Sequence, residues 1–572
     1  MLYIPTQQDL YIIHQNKMNL YIIIEVMDTT LKPIASLQGE LISDNFTIDA
    51  ESDIRRTFHL TLYVKDSSFI VSPDSKIWIN KFIRIQIGLK DQRTAEIVYY
   101  NMGTYLFDEA GYQYDVTTNT LTLTCVDLMA NFTGLRNGQV LGTSTIINEG
   151  SDIWDAIHST IINLGKLDEY QYRIDARMVT VYDENGQPVG QEPSKVPHDL
   201  KFPAETTVYD ILTKINEIEA GWEMFFDLDD RFVNQKIPTT LGDPCVLDWE
   251  TLEDLIISES LNTKFSEVKN CTRIWGKCLE PDRSIAETSG DGTVYAGVLD
   301  YLIVDDGDND PSNDDILSGT TISLVANVTN LANPKIQIRD RKTNPHIDGN
   351  GNVTYTEFIK TYDIVEEIGY TIKSLPAGRM LQDKLYVLKY KKKTGESIGK
   401  FYLQGEPQII YIVKEYNELP LAQGQTEEQW IAQDKQAENT DNIKYIIHSK
   451  DVPANATPEE REEAYSPFAI DAIGEIRQVL ADGEYNNIYT DDLARQRAEY
   501  ENWKAMRLNY ELNLRMKPVL WLDVNQKIEY KSKITGNIEE YIIKSIEGSS
   551  MSGEINVKAI KFYPLYPTIV SN

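Results

Sequence analysis

Apolar and polar residues alternate through the first 135 or so positions of the chain. In Thr57-Phe-His-Leu-Thr-Leu-Tyr-Val64 the residues Phe58, Leu60, Leu62 and Val64 sit two apart, which puts them on one face of a strand. Ile83, Ile85 and Ile87 repeat the device around Arg84 and Gln86, and Leu121, Leu123 and Cys125 do so between threonines. Turn signals at Ser72-Pro73-Asp74, Gly88 and Glu109-Ala-Gly111 arrive at spacings that suit a β-barrel or sandwich. Residues 1–145 are therefore predicted to be all-β. The run Leu20 to Met27 is interrupted by Glu25 and falls far below the roughly 18 apolar residues of a membrane span, so it reads as a buried strand.

The period then changes. Ile153, Ile157, Ile161 and Leu164 are spaced as one helical stripe, with Ser151 as the cap and Gly165 as the left-handed stop. Val208, Ile211, Leu212, Ile215 and Ile218 make a second stripe after Thr206 or Thr207, and Gly221 ends it. Trp222 to Asp227, a turn at Leu228 to Asp230, and Arg231 to Val233 then read as a hairpin, so residues 146–255 are predicted to be an α+β domain.

Strands resume from Lys264 to Glu418, notably Asn270 to Gly276 and Gln408 to Val413. The acidic run Asp305 to Asp315 reads as a solvated loop. Ala422 to Glu463 is rich in Gln, Glu and Asn, with short helical candidates at Thr426 to Lys435 and Pro458 to Ala464, and reads as a surface excursion. A long helix is predicted over 490–514, capped by Thr490, with Tyr500, Trp503, Met506 and Tyr510 as its stripe. Strands close the chain at Ile528 and Tyr530, at Tyr541 to Ile543, and at Ile555, Val557 and Ala559.

The N-terminal unit ends in the same order: Leu106-Phe107, a turn, then Leu121 to Cys125. Two similar barrels separated by intervening units would explain this, and so would chance likeness between amphipathic hairpins. The predicted class is thus α+β, predominantly β and multidomain. Its parts are a barrel at 1–145, the α+β unit at 146–255, a second barrel from 256–285 and 486–572, and an inserted, mostly β domain at 286–485.

With 572 residues the chain is too long for one domain, and 41% hydrophobic and 25% charged residues exclude wholesale disorder or a fibrous rod. The charge is unusual. Lys and Arg number 55 against 88 Asp and Glu, a net of −33, which lacks the footprint that phosphate backbones or anionic membranes require. The N-terminus shows no secretory signal pattern, and four cysteines, Cys125, Cys245, Cys271 and Cys278, are too few for a disulfide scaffold, so synthesis in a reducing cytoplasm is expected.

The search for chemistry yields no catalytic, cofactor or metal residue. His14, His59, His158, His198, His346 and His448 are scattered, none lies in an H-E-x-x-H frame, and no Gly-rich phosphate loop occurs. Gly395-Glu-Ser-Ile-Gly399 matches a nucleophile elbow, with His448 downstream in the right order, but strands flank it on both sides and make it a hairpin turn. Cys271 and Cys278 lack the second pair a structural zinc site needs. Asp306, Asp308 and Asp310 begin like a calcium loop, but Pro311 and Leu317 stand where Gly and Glu are required. Asp348, Asn350 and Asn352 fail in the same way, with Val353 and Ile359. Trp78, Trp154, Trp222 and Trp275 lie inside predicted elements, where core packing is expected rather than a sugar platform.

Four stretches together resemble the tail hub, or baseplate hub, proteins of tailed bacteriophages. They are Ser52-Asp-Ile-Arg55-Arg56-Thr-Phe58 followed by Lys76 to Asn80 and Asn101 to Phe107; Leu121 to Met129; Thr207 to Val233 running into Lys236-Ile-Pro238; and Ser466 to Ile470 with Ile488 to Ala494 and Pro518 to Asn525. The resemblance spans nearly the whole chain and carries over no catalytic residue. It implies a structural virion protein that joins a sixfold tail tube to a threefold tip. On that reading the protein is a homotrimer with two tube-like barrels per chain. A tail tube or distal tail protein would sit on one side and a tip, spike or fibre protein on the other, with DNA passing through unbound. Acidic walls suit genome passage, and solubility alone also accounts for the charge. The alternative is a tail-tip peptidoglycan hydrolase or glycan-binding adhesin.

Overall fold

In the computed structural model, the described residues are 3–37, 41–64, 71–140, 142, 144–182, 188–197, 199–276, 281–304, 315–347, 353–368, 371–393, 396–405, 410–437, 443–449, 457, 465–481, 483, 485, 488, 491–533 and 535–564. The chain forms two compact units, one of Met1–Arg177, Asp199–Val268 and Leu508–Asn572, the other of Met178–His198 and Lys269–Arg507.

The first unit is dominated by the alternating runs. Helix α1 (Gln7–Ile13) begins in a capping box in which Thr6 and Asp9 bond each other's backbone. The strands that follow are β1 (Leu20–Met27), β2 (Pro33–Ser36), β3 (Leu41–Asp49), β4 (Arg56–Tyr63), β5 (Phe82–Lys90), β6 (Ile97–Asp115) and β7 (Thr120–Asp127). Helices α2 (Ile153–Ser159) and α3 (Val208–Asn216) and strands β8 (Tyr172–Ile174), β9 (Trp222–Phe226) and β10 (Phe232–Lys236) come next. The unit finishes with β11 (Cys245–Leu247), β12 (Ile256–Lys264), β13 (Asn509–Met516), β14 (Lys527–Lys531), β15 (Ile538–Gly548) and β16 (Ile555–Lys561).

Thirteen of these strands share one sheet, in the order β12-β13-β16-β15-β3-β4-β7-β6-β5-β1-β2, with β14 on β15 and β11 on β14. The residues picked out by alternation are its core: Phe58, Leu60, Leu62, Ile83, Ile85, Ile87, Leu121, Leu123, Cys125, Ile528, Tyr541, Ile543, Val557 and Ala559 are all buried in one cluster. The strands expected to form two barrels therefore lie in one continuous sheet, joined through the pairing of β3 with β15.

The α+β part of this unit follows the predicted grammar with local corrections. Asp152, not Ser151, caps α2, which passes into a wider turn over Thr160–Leu164. Gly165 has φ −73°, so it is not a left-handed stop. A Cβ there would meet the Ile161 carbonyl at 2.7 Å and the Phe132 ring at 2.9 Å, and close approach is what the glycine allows. Thr207 caps α3 in a capping box with Asp210, Gly221 has φ +83°, and β9 and β10 pair as the predicted hairpin. Trp78 lies in turns before β5, not in a strand.

The second unit holds a nine-stranded sheet, built around buried Tyr362, Tyr390 and Phe401, and a four-stranded sheet. The latter has the order 443–449, 410–416, 271–275, 477–480. Here the sequence misled in two places. The excursion at 422–463 contributes the strand Ile443–Ser449, parallel to Ile410–Tyr416 and reached through helix α4 (Glu427–Ala437). The long helix stops early: α5 spans Asp491–Ala505, and residues 509–516 are strand β13. Its buried side is Ala494, Ala498, Glu501 and Asn502, whereas the expected aromatic stripe is only half-buried. The candidate helix Pro458 to Ala464 lies outside the described residues.

Candidate functional site

The sheet of the first unit contains the same five-stranded arrangement twice. One copy has the order β3-β4-β7-β6-β5, the other β12-β13-β16-β15-β14, and every neighbouring pair in both is antiparallel. Registers agree from β3 through β4 and β7 to the stretch Tyr105–Phe107 of β6; beyond it β6 shifts on β7 between Asp108 and Gln113, where β15 shifts on β16 between Ile543 and Ser545, and the shift between Ile85 and Gln86 in β5 has no counterpart in β14. A bulge falls between Leu41 and Ser43 where β3 meets β4, and between Ile256 and Ser258 where β12 meets β13. Following the Cα partners across each copy matches Asp44 with Glu259, Phe46 with Leu261, Phe58 with Leu512, Tyr105 with Tyr541 and Cys125 with Ala559. Both tyrosines are buried.

The copies join at a short seam. Phe46, Thr47, Ile48 and Asp49 of β3 oppose Gly548, Glu547, Ile546 and Ser545 of β15, and Ala50 donates its N–H to the Lys544 carbonyl at 2.9 Å. The Phe46 ring lies on Gly548, where a Cβ would come within 2.5 Å of it. The buried Asp44 carboxylate closes the seam, accepting from the Ser550 N–H at 2.8 Å, the Ser550 hydroxyl at 2.7 Å and the Ser549 hydroxyl at 3.3 Å. On the sheet face away from the core, Ser258, Arg515, Asn556, Glu547, Thr47 and Thr57 form one polar row across six strands and through the seam.

Arg55 and Arg56, at the start of β4, are both buried and clamp three stretches of chain together. Arg56 donates to the Phe226 carbonyl and to Asp523, while its own N–H meets Asp127 at 2.9 Å. Arg55 lies over the Phe225 ring at 3.7 Å and pairs with Glu223, whose oxygens also accept from Asn525 and Gln235, each at 2.7 Å. Burial pushes the Glu223 carboxyl up, but the Arg55 charge and these hydrogen bonds outweigh it and hold it below the usual range. Asp127 ends above its usual value, because burial there outweighs Arg56 and two backbone N–H groups. A cleft of about 770 Å³ opens beside the clamp, lined by Tyr3, Tyr100, Phe225, Trp521, Asp523 and Asn525 among others.

The residues weighed for chemistry do not gather. His59 is exposed beside Thr124 at 3.1 Å, and His14 is half-buried against the Leu10 carbonyl. His158 is enclosed by Trp154 and Tyr172 at about 5 Å. His448 binds Glu415 at 3.0 Å and faces Glu499 at 3.9 Å, so its partners are acids. Ser397 is exposed in a turn. Cys271 is buried in a strand. His346 lies on the strand Lys335–Ile347. His198, Cys278, Asp306, Asp308, Asp310, Asp348, Asn350 and Asn352 fall outside the described residues. Asp315, which ends the acidic run, is not a solvated loop residue: it is largely buried and accepts from Tyr390 at 2.6 Å and Tyr362 at 3.0 Å. Among the described residues no three His, Cys, Asp or Glu come together to hold a metal ion. No described helix is long and apolar enough to cross a membrane.

Residues 465–566 match the model of a family described as a domain of unknown function, DUF5048. No curated protein matches the chain. Solved structures that align with it include the tail protein from Neisseria meningitidis MC58, at 9% identity over 95% of this chain and 96% of that one, with a TM-score of 0.38. The prophage MuSo2 43 kDa tail protein from Shewanella oneidensis aligns at 9% identity over 95% and 98%, also with a TM-score of 0.38. Prophage tail protein gp18 from Listeria monocytogenes EGD-e aligns at 7% identity over 96% of each chain, with a TM-score of 0.36.

Proposed function

We propose that this protein is a structural component of a phage tail, a hub that adapts the sixfold tail tube to a threefold tip and forms part of the channel for the genome. The observation that carries the reading is the duplicated five-stranded sheet. A chain that presents one binding geometry twice supplies two of the six positions of a ring, and three chains complete it, leaving a threefold surface on whatever is not duplicated. Two of the sequence stretches that resemble tail hubs meet where the copies join: Arg55 and Arg56 form the clamp, and Pro518 to Asn525 supplies Asp523 and Asn525 to it.

In this reading the strands of 1–145 and those of 256–264 with 509–561 are the two tube domains, while 269–285 and the helix Asp491–Ala505, expected with the second barrel, belong to the other compact unit. The role is mechanical and non-enzymatic, exercised in the virion after synthesis in the host cytoplasm. A charge of −33 per chain makes assembly sensitive to salt, since the Debye length is about 8 Å near 0.15 M and about 30 Å at 0.01 M.

The test is to image tail particles that contain the protein. Three copies around the tail axis, at the junction of tube and tip, are expected. Six copies per ring, or a location away from the tail, would overturn the proposal. A peptidoglycan zymogram separates the alternative, because a hydrolase clears the gel and a hub leaves it intact.

A further inference from the structure

Strand β15 carries one extra residue in its pairing with β16. Ile543 opposes Ala559 and Ser545 opposes Lys558, so Lys544 is the residue that the bulge inserts. A bulge of this kind re-aims a side chain. Here the Lys544 Nζ donates to the Asn525 Oδ1 at 3.2 Å, and the Asn525 Nδ2 donates to the Glu223 Oε2 at 2.7 Å. An amine, a carboxamide and a carboxylate are thus joined in one chain of hydrogen bonds beside the clamp. Asn525 and Glu223 are 5% and 7% exposed. We propose that Lys544 and Asn525 condense into an intramolecular isopeptide bond, with Glu223 as the catalytic carboxylate.

The backbone holds the two reactants in place. Asn525 has φ +58°, its N–H donates to the Ile543 carbonyl at 2.7 Å, and the Ile543 N–H donates to the Gln526 carbonyl at 3.0 Å. The Lys544 carbonyl in turn accepts from Ala50. A left-handed turn alone accounts for an asparagine at 525, but it does not call for a side-chain amide buried between an amine and a carboxylate. A carbonyl bond is about 1.23 Å long, so the Asn525 Cγ lies no more than about 4.4 Å from Nζ, within a side-chain rotation of the roughly 3–3.5 Å of a near-attack geometry.

In the reaction the Nζ lone pair attacks Cγ, the bond from Cγ to Nδ2 breaks, and Nδ2 leaves as ammonia. The proton shed by Nζ passes through the Glu223 carboxylate to Nδ2. Glu223 is ionised for this task, since its carboxyl stays below the usual range despite burial. One ammonium and one primary amide become a secondary amide and an ammonium ion, and the balance closes without any further reactant. The product ties the segment that supplies Asn525 to the clamp directly to β15, whose next four residues, Ser545 to Gly548, form the seam with β3. A pull on the seam would then be carried to the clamp by a covalent bond.

The experiment is an intact-mass measurement on the purified full chain under denaturing conditions, followed by digestion with trypsin. The chain is expected to weigh less than its sequence by one ammonia. Trypsin should cut after Lys527 and Lys533 but not after Lys544, leaving a branched peptide whose fragments place the bond between Asn525 and Lys544. Lys544→Arg should restore the full mass and lower the melting temperature. Glu223→Gln should slow the appearance of the bond after synthesis by about a hundredfold. Because Glu223 also anchors the clamp, that variant is read on chains whose circular dichroism matches the parent, and bond formation at the parent rate in them would overturn the role of Glu223. A parent chain that keeps its full mass after long incubation at neutral pH would overturn the bond itself. So would a loss of ammonia that persists in Lys544→Arg, or one confined to a single linear peptide, the mark of a succinimide.

Discussion

The two copies of the five-stranded sheet share strand order, the bulge in the first strand pair and most of their register, and they differ in how the chain reaches them. In the first, β3 and β4 are neighbours in sequence, joined through a turn. In the second, β12 and β13 are paired over Lys264 and Asn509, yet the second compact unit is inserted between them. The insert brings its own ends together, with the Lys269 N–H on the Ala505 carbonyl at 2.9 Å. A hairpin thus tolerates a folded body within its connecting chain when that body's ends already lie a turn apart, since closure then costs little more than for a short loop. The second difference is at the edges: among the described residues, β3 of the first copy is covered by β15, and β12 of the second has no strand on its outer side.

The comparison can be broken most severely at the clamp. Arg56→Ala leaves the half-buried Asp523 without its ion-pair partner and the buried Asp127 with Arg55 as its cation, and a loss of about 3 kcal/mol is expected in the denaturant unfolding of the first unit. The seam comes next. Gly548→Ala drives a Cβ into the Phe46 ring, and Asp44→Ala strips three hydrogen bonds from the following turn. Each is expected to cost about 1–3 kcal/mol and to speed amide exchange at Ser550.

Electrostatics in the second unit should respond to pH. Hydrogen bonds donated to the Glu415 carboxylate and then to that of Glu499 hold His448 up at about 9. Its contribution is therefore complete below the unfolded value near 6.5 and is lost as pH rises through about 9. The melting temperature of this unit should fall between pH 7 and 10, and the fall should be smaller in His448→Gln. The smallest effect sharpens the contrast between copies. Glu259→Ala, at the position matching Asp44, should leave the isolated chain within about 0.5 kcal/mol of the original in the same denaturation assay.

Period-two alternation made the sheet legible, because each strand buries one face and exposes the other. It located Phe58 to Val64, Ile83 to Ile87 and the closing strands where the structure has them. The same signal was present in Leu512, Leu514 and Met516, but the spacing of Tyr500, Trp503, Met506 and Tyr510 suggested a helix over it. The helix that does form buries Ala494, Ala498 and Asn502, residues too small or too polar to register as a stripe. Asn502 answers the Thr272 hydroxyl at 3.0 Å, a contact across 230 positions that no local pattern announces. The strand at Ile443 was hidden for a related reason, since α4 before it has little apolar content. The doubled arginine could be noticed in sequence, but its partners at 127, 223, 226 and 523 are joined only by folding. The likeness of the two closing hairpins was visible, whereas the correspondence of Asp44 with Glu259 needs registers.

The β3–β15 seam also sets a schedule. On a ribosome, the first copy can form as soon as residue 127 is free, but Ser545 to Gly548 emerge about 500 residues after Asp49, roughly 25–100 s later at 5–20 residues/s. Throughout that interval the outer side of β3 is a sheet edge without its partner, the feature that invites pairing with other nascent chains. Ser43, Asp44 and Asn45 place polar groups along the strand, and Asp44 has no turn to bind until the last hairpin is made. One carboxylate thus guards the edge during synthesis and fastens it afterwards, so replacing it should lower the yield of soluble chain more than its share of final stability implies.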